Sequence, residues 1–288
     1  MNLIISIIKG VLRKPVGYIA KMKLRKLRNI NNTASDKIVN AIDSTLSNSI
    51  APEEKIWIER IEEVRSALND SFTEITITDY GAGKSSFKRT EKEMYEGVVT
   101  TMTVSNACKG SKSYFWALML FNLVREFKPS ICIELGTCLG ISSAYQASAQ
   151  KINKKGSIIT LEGADALYSL SKKNLQKLGL DNVTVVKGRF QDNLERILNE
   201  NEPIDYAFID GHHDGKATIS YFESFIPHLS KKAVIVFDNI LWSKGMRYAW
   251  KKITENKNVK ISVNLRTIGI CILDNDIENK FRFRVPLI

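Results

Sequence analysis

From residue 130 onward, short apolar runs alternate with longer stretches of helical periodicity. The runs are Ile131-Cys132-Ile133, Ile158-Ile159-Thr160-Leu161, Val183-Thr184-Val185-Val186, Tyr206-Ala207-Phe208-Ile209 and Ala233-Val234-Ile235-Val236-Phe237. Between and after them the spacing predicts helices over about 140–151, 164–179, 190–200, 215–229 and 243–256. Near-continuous apolarity suits strands buried on both faces, and five β-α units in succession predict a doubly wound parallel sheet. Two more strand-like runs, about 259–265 and 268–274, follow with no helix between them. So short a link closes only an antiparallel pair. Upstream, 31–128 reads as mostly helical, and the stripes Trp57-Ile58-Ile61-Val64-Leu68 and Tyr114-Leu118-Phe121-Val124 read as core.

The terminal antiparallel pair changes the picture, because dehydrogenase-type Rossmann domains keep their sheets parallel to the edge. The order of elements resembles the Rossmann-like seven-stranded sheet of class I S-adenosylmethionine-dependent methyltransferases. On that reading the α/β domain occupies 129–288. Residues 31–128 are expected to supply a lid, a substrate wall or a dimer surface, and 1–30 form a basic amphipathic segment.

Net charge is +11 over 288 residues, yet eight of the positive charges and no acid fall in the first thirty. Removing those eight leaves about +3 for the rest, so no basic stripe points to nucleic acid. The opening Leu3-Ile4-Ile5-Ser6-Ile7-Ile8 is far short of the ~20 apolar residues that span a bilayer. Its positive charge follows the apolar run, where a secretory signal would place it before. Two readings of this tail stay open. It is an interfacial helix touching anionic lipid at the inner membrane face, or a basic helix covering its own domain or a partner subunit. The four cysteines form no CxxC pair and have no histidine at ligand spacing, which leaves a zinc site unsupported and suits a reducing cytoplasm.

Candidate chemistry sits at the strand ends. The first strand of the α/β domain runs into Glu134-Leu135-Gly136-Thr137-Cys138-Leu139-Gly140-Ile141-Ser142. Gly136 and Gly140 allow a tight turn and a close backbone approach, and the next helix offers free N–H groups. An acid before the turn suits a cationic sulfonium, whereas a dinucleotide would call for GxGxxG. The second strand ends at Glu162, 26 residues past Gly136, where a carboxylate can accept both ribose hydroxyls. The third ends in Gly188-Arg189-Phe190-Gln191-Asp192, with an aromatic and an amide for adenine. Ends four and five carry Asp210-Gly211-His212-His213 and Asp238-Asn239, and three hard oxygen donors at one rim suit Mg²⁺.

This set resembles catechol O-methyltransferase and the related metal-dependent O-methyltransferases over about 130–245. Glu134, Gly136, Gly140 and Ser142 fall on that family's first cofactor motif, Glu162 on its ribose acid and Gln191 on its adenine-side amide. The resemblance implies S-adenosylmethionine as cofactor and Asp210, Asp238 and Asn239 as Mg²⁺ ligands. It implies a small-molecule hydroxyl, phenolic or sugar, as acceptor. The family's catalytic lysine, three residues after the first ligand, is His213 here, and Lys216 is the nearby alternative base. Asp79-Tyr80-Gly81-Ala82-Gly83 and Phe208-Ile209-Asp210-Gly211 look more like a bacterial subgroup of the class. Tyr80, Phe87, Tyr95, Tyr114 and Trp242 are candidates for an acceptor wall, while His228 reads as a surface histidine.

Rival readings are a metal-independent N- or O-methyltransferase and a scaffold that has lost its chemistry. A P-loop is a third, since Gly83-Lys84-Ser85 follows a strand-like Ile75-Thr76-Ile77-Thr78. That motif needs a glycine where Thr78 stands.

Overall fold

The computed structural model describes residues 20–84 and 87–287. The basic tail before residue 20 lies outside the described residues. Residues 20–28 are helical, and their apolar stripe, Ala20, Leu24 and Leu27, is buried in the main core. Two helices follow, α1 (Thr33–Ser47) and α2 (Pro52–Asn69). Then come β1 (Glu74–Asp79), a hairpin of β2 (Gly83–Lys84) and β3 (Phe87–Lys88), α3 (Glu91–Glu96), β4 (Val98–Thr103), α4 (Val104–Lys109) and α5 (Tyr114–Phe127).

The region before residue 130 is thus less purely helical than its periodicity suggests. β1 and β4 pair antiparallel from Glu74↔Thr103 to Asp79↔Val98, because both runs alternate β-branched residues. Side-chain partners across such a ribbon, such as Thr76 and Thr101 at 3.2 Å, supply what neither run holds alone.

The remaining elements alternate strictly. They are β5 (Ile131–Leu135), α6 (Ile141–Asn153), β6 (Ser157–Glu162), α7 (Asp165–Leu178), β7 (Val183–Lys187), α8 (Phe190–Asn201), β8 (Ile204–Ile209), α9 (Gly215–Phe225), β9 (Leu229–Phe237) and α10 (Lys244–Glu255). β10 (Ile261–Asn264), β11 (Gly269–Asp274) and β12 (Phe281–Arg284) end the described chain. They build one sheet in the order β12-β10-β11-β9-β8-β5-β6-β7. β11 runs antiparallel to both β9 and β10, as the missing crossover helix requires. β12, which hydrophobic patterning does not single out, adds an eighth strand parallel to β10 through a short Phe-Arg-Phe-Arg alternation.

The pleat sends alternate residues to two cores. Cys132, Tyr206 and Phe208 join one core, while Ile133, Ala207 and Ile209 join the other. The first core also holds Ile38, Ile61 and Phe121 from α1, α2 and α5, so the early helices pack directly on the sheet's helical layer. Among the described residues no helix is long and apolar enough to cross a membrane.

Candidate active site

Sheet register aligns the strand ends into one rim. The ladder pairs Leu135 with Leu161 on one side and with Ile209 on the other, and Ile209 with Phe237. The next residues, Glu162, Gly136, Asp210 and Asp238, therefore stand side by side. Backbone bonds extend the ladder past its last pairs: Asp210 N–H donates to Leu135 O at 2.9 Å and Asp238 N–H to Ile209 O at 3.0 Å. Gly136 has φ +104, and a Cβ there would lie 2.4 Å from the Asp210 carbonyl oxygen. Only glycine allows that approach.

Above the rim lies a cavity of about 280 Å³. Its lining includes Gly136, Thr137, Ser142, Glu162, Arg189, Phe190, Gln191, Asp210, His213 and Asn239. Glu162 accepts from Cys138 N–H at 2.7 Å and Ala164 N–H at 2.9 Å, which fixes its carboxylate at the cavity floor. Burial pushes its pKa up to about 7, against the pull of those amides. Phe190 meets Tyr221 edge-on with centroids 5.8 Å apart. Arg189 makes a two-point pair with Asp192 and lies over the Tyr95 ring at 4.6 Å. Gly140 and Gly188 hold positive φ (82° and 127°) just outside the lining and shape the turns that support it.

Two expectations need correction. Glu134 does not reach the cavity: it is fully buried beneath the turn, accepting from Ser143 Oγ, from Thr160 Oγ1 at 2.7 Å and from Gln146 Nε2 at 3.0 Å. A carboxylate so supplied with donors holds the start of α6 against β5 and β6, and it is not a partner for a sulfonium. Lys216 is 86% exposed and pairs with Glu91 at 2.6 Å, which takes it away from the site. Its position at the start of α9 points it outward, because Asp214 caps that helix through the Lys216 and Ala217 amides.

The expected metal seat is shared with a cation of the chain's own. Asp210, His213 and Asp238 place one donor atom each within 4.8 Å of one another, and Asn239 lines the cavity beside them. Between the carboxylates, however, stands Lys112, its Nζ 2.5 Å from Asp238 Oδ2 and 3.2 Å from Asp210 Oδ2. Mg²⁺ takes oxygen ligands at about 2.0–2.1 Å, so it would have to share these oxygens with an ammonium already in contact with them. The residues as arranged do not fit a divalent cation.

Burial opposes the charge on Lys112, but Asp210 and Asp238 outweigh it and hold the ammonium's pKa above its ordinary value. Asp210 itself is shifted upward, by burial and by Asp238, against the pull of Lys112. Nothing near Lys112 in the sequence announces this role; it lies 126 residues from Asp238 in a loop between α4 and α5. The surrounding Gly110-Ser111-Lys112-Ser113 is an ordinary loop signal.

His213 lies on the same side, with Nε2 3.8 Å from Asp210 Oδ1 and its ring 6.0 Å from that of Trp242. Burial lowers its pKa, so the imidazole is neutral. His212 also lines the cavity and bonds to Tyr221 Oη at 2.9 Å, and His228 pairs with Glu202 at the surface. The loop after β1 forms the facing wall. Ala82 N–H donates to His212 O at 2.7 Å, and the Tyr80 ring packs on Gly163, where a Cβ would come within 2.9 Å of it. Of the aromatic candidates, Tyr80 lines the cavity, Tyr95 is exposed beneath Arg189, and Tyr114 bonds to Asn48 at 3.0 Å. Cys138 also lines the cavity, with burial pushing its thiol up to about 12, so it stays protonated.

With this geometry in view, comparisons with known proteins agree on the fold. Residues 133–240 match a family model described as a methyltransferase domain. A comparison with curated protein sequences returns no match. Among solved structures, an O-methyltransferase from Bacillus cereus in complex with SAH superposes with a TM-score of 0.55 at 20% identity, covering 82% of this chain and 98% of that one. An SAH-bound methyltransferase from Podospora anserina gives 0.52 at 18% identity, covering 59% and 82%. The O-methyltransferase TomG from Streptomyces achromogenes, in complex with SAM, gives 0.51 at 19%, covering 59% and 89%. Strand order, the reversed penultimate strand and the matched segment converge: residues 133–240 match a methyltransferase domain, and the sheet has the fold of solved methyltransferase structures.

Proposed function

We propose that the cavity transfers a methyl group from S-adenosylmethionine to a hydroxyl of a small acceptor. The observation that carries this reading is the placement of Glu162 and Asp210 on either side of the Gly136 turn, both facing one cavity. Glu162 is the acceptor for two ribose hydroxyls, and Phe190 and Gln191 flank the purine side. The amides that open α6, with Ser142 in its first turn, face the cofactor's amino acid end.

When bound, S-adenosylmethionine supplies an activated methyl whose S–C bond breaks as the O–C bond forms, leaving the electron pair on sulfur. The chain's own residues do the rest by positioning. The acceptor enters between Tyr80, Trp242 and the ends of β8 and β9. His213 Nε2, neutral and half-buried at that end, takes the hydroxyl proton and later releases it to solvent. The β1 loop, stapled to His212 by Ala82, keeps water from the reacting atoms.

Calorimetry of the full chain with S-adenosylmethionine and S-adenosylhomocysteine tests the first half. Mass-spectrometric detection of methylation across catechols, simple phenols and sugars tests the second. Absence of binding to either nucleoside overturns the reading and favours a scaffold; product formation only on amines moves the acceptor from oxygen to nitrogen.

A further inference from the structure

We infer that Lys112 is a built-in cation, an ammonium that occupies the seat between Asp210 and Asp238 where a divalent metal would sit and that donates to the acceptor oxygen during transfer. This rests on the reading of the cavity as a methyl-transfer site.

Three observations carry it. Nζ touches Oδ2 of both carboxylates, at 2.5 and 3.2 Å, and the Lys112 side chain is only 12% exposed. It also lines the cavity, so the contact is made at the site itself. The second observation is the charge arithmetic of the pair. Asp238 has no other cationic partner among the described residues; Lys112 meets its Oδ2 and leaves the buried Oδ1 without a hydrogen-bond partner. A buried carboxylate needs a countercharge, and Lys112 is the one present.

The third is that the chain is built to hold this lysine. Arg65 Nη1 donates to the Lys112 carbonyl at 2.7 Å, and Arg65 Nε grips Glu62 at 2.9 and 3.0 Å. Tyr145 of α6 donates to the same Glu62 at 2.7 Å. The loop is therefore tied to α2 and α6 before its side chain reaches across to β8 and β9.

An ammonium has three N–H donors. Two face the carboxylates, and the third serves an acceptor oxygen entering the cavity. In the transfer the O–C bond forms and the S–C bond breaks, with the hydroxyl proton passing to His213. Lys112 keeps all three protons throughout and stabilises negative charge growing on the oxygen. It does with one fixed positive charge what a metal would do by coordination, and it needs no ion from solution.

The test is a Mn²⁺ titration of the full-length protein followed by electron paramagnetic resonance, alongside methylation rates with and without EDTA. Wild type is expected to leave Mn²⁺ free and to keep its rate within about twofold under chelation. Lys112→Met and Lys112→Gln, by freeing both carboxylates, are expected to gain Mn²⁺ binding. Lys112→Met should also lose kcat on the order of 100-fold, the scale for removing one donor to a developing oxyanion. Lys112→Arg, which keeps the charge, should recover part of that loss. A Mn²⁺ site in wild type that Asp238→Asn abolishes overturns the inference, as does a rate that EDTA removes and Mg²⁺ restores. Cofactor binding is read separately by calorimetry. Its failure would sink the methyl-transfer reading, while the wild-type Mn²⁺ titration still decides the cation seat even if a Lys112 variant does not fold.

Discussion

Arg65 donates from Nη1 to the main-chain oxygen of Lys112, 2.7 Å away, and so ties an early helix to the centre of the cavity. Arg65 is a positioning residue, because it touches neither carboxylate. Arg65→Met is expected to cost about 1.5–3 kcal/mol of stability, the range for a hydrogen bond from a charged group. In the folded variant kcat should fall while the dissociation constant for S-adenosylmethionine stays within about twofold. Equal loss in both would mean that Arg65 only supports the fold.

Cofactor affinity should follow the ionisation of Glu162. Its carboxyl has a pKa of about 7, above the usual 4.5, with burial as the main cause and Asp79 adding to it. Ribose hydroxyls donate to the ionised form, so binding favours loss of the proton. Affinity is therefore expected to weaken as pH falls below about 7, approaching tenfold per pH unit well below it. Glu162→Gln should bind weakly at pH 8 and show no such slope in calorimetry. The same upward shift means that the folded, cofactor-free protein holds this proton more tightly than the unfolded chain. That contribution to stability is lost as pH rises from about 4.5 through about 7.

Glu134 and Glu162 end neighbouring strands' apolar runs yet should behave oppositely when altered. Glu134→Ala strands the donors of Ser143, Thr160 and Gln146 in a fully buried site, at a cost of about 3 kcal/mol or more. Thermal melts should show this loss, while cofactor affinity of the protein that remains folded changes little. Glu162→Ala should show the reverse ranking, with affinity hit harder than melting temperature.

Gly136→Ala should abolish cofactor binding and destabilise the fold together. Its Cβ would fall 2.4 Å from the Asp210 carbonyl at a φ of +104, so either the β5 turn or the β8 end must move. In Gly163→Ala the close contact is with the Tyr80 ring, at 2.9 Å. It should weaken cofactor affinity several-fold by displacing that wall, with melting temperature nearly unchanged. Melts and calorimetry on both variants separate the two effects.

The two candidate bases separate cleanly. Lys216 is held at the surface by Glu91, and Lys216→Ala should leave kcat within about twofold of wild type. His213→Ala should lower kcat by about 100-fold or more, within the range for a lost general base. A large loss in Lys216→Ala would move the base to that residue.

The sheet was legible from the chain because its determinants are local. Uninterrupted runs such as Ala233–Phe237 exist only where both faces are covered, and the short link between β10 and β11 leaves one way to pair them. β12 escaped because four residues of alternating Phe and Arg are too few to register as a period. The rim positions of Glu162, Gly136, Asp210 and Asp238 also follow from strand order, since each ends its run.

What lies beneath or across that rim was not legible. Glu134 pairs with Thr160, one pleat below Glu162 on the same face of the sheet, and at that depth its side chain meets α6 and not the cavity. Lys112 meets Asp238 across 126 residues, through a loop whose own sequence is unremarked. The sequence by itself determined which strand ends share one rim, because hydrophobic period and link length act over a few residues. Only the tertiary structure decided which positive charge answers the acids at that rim, because a contact made by long-range packing leaves no trace in local spacing.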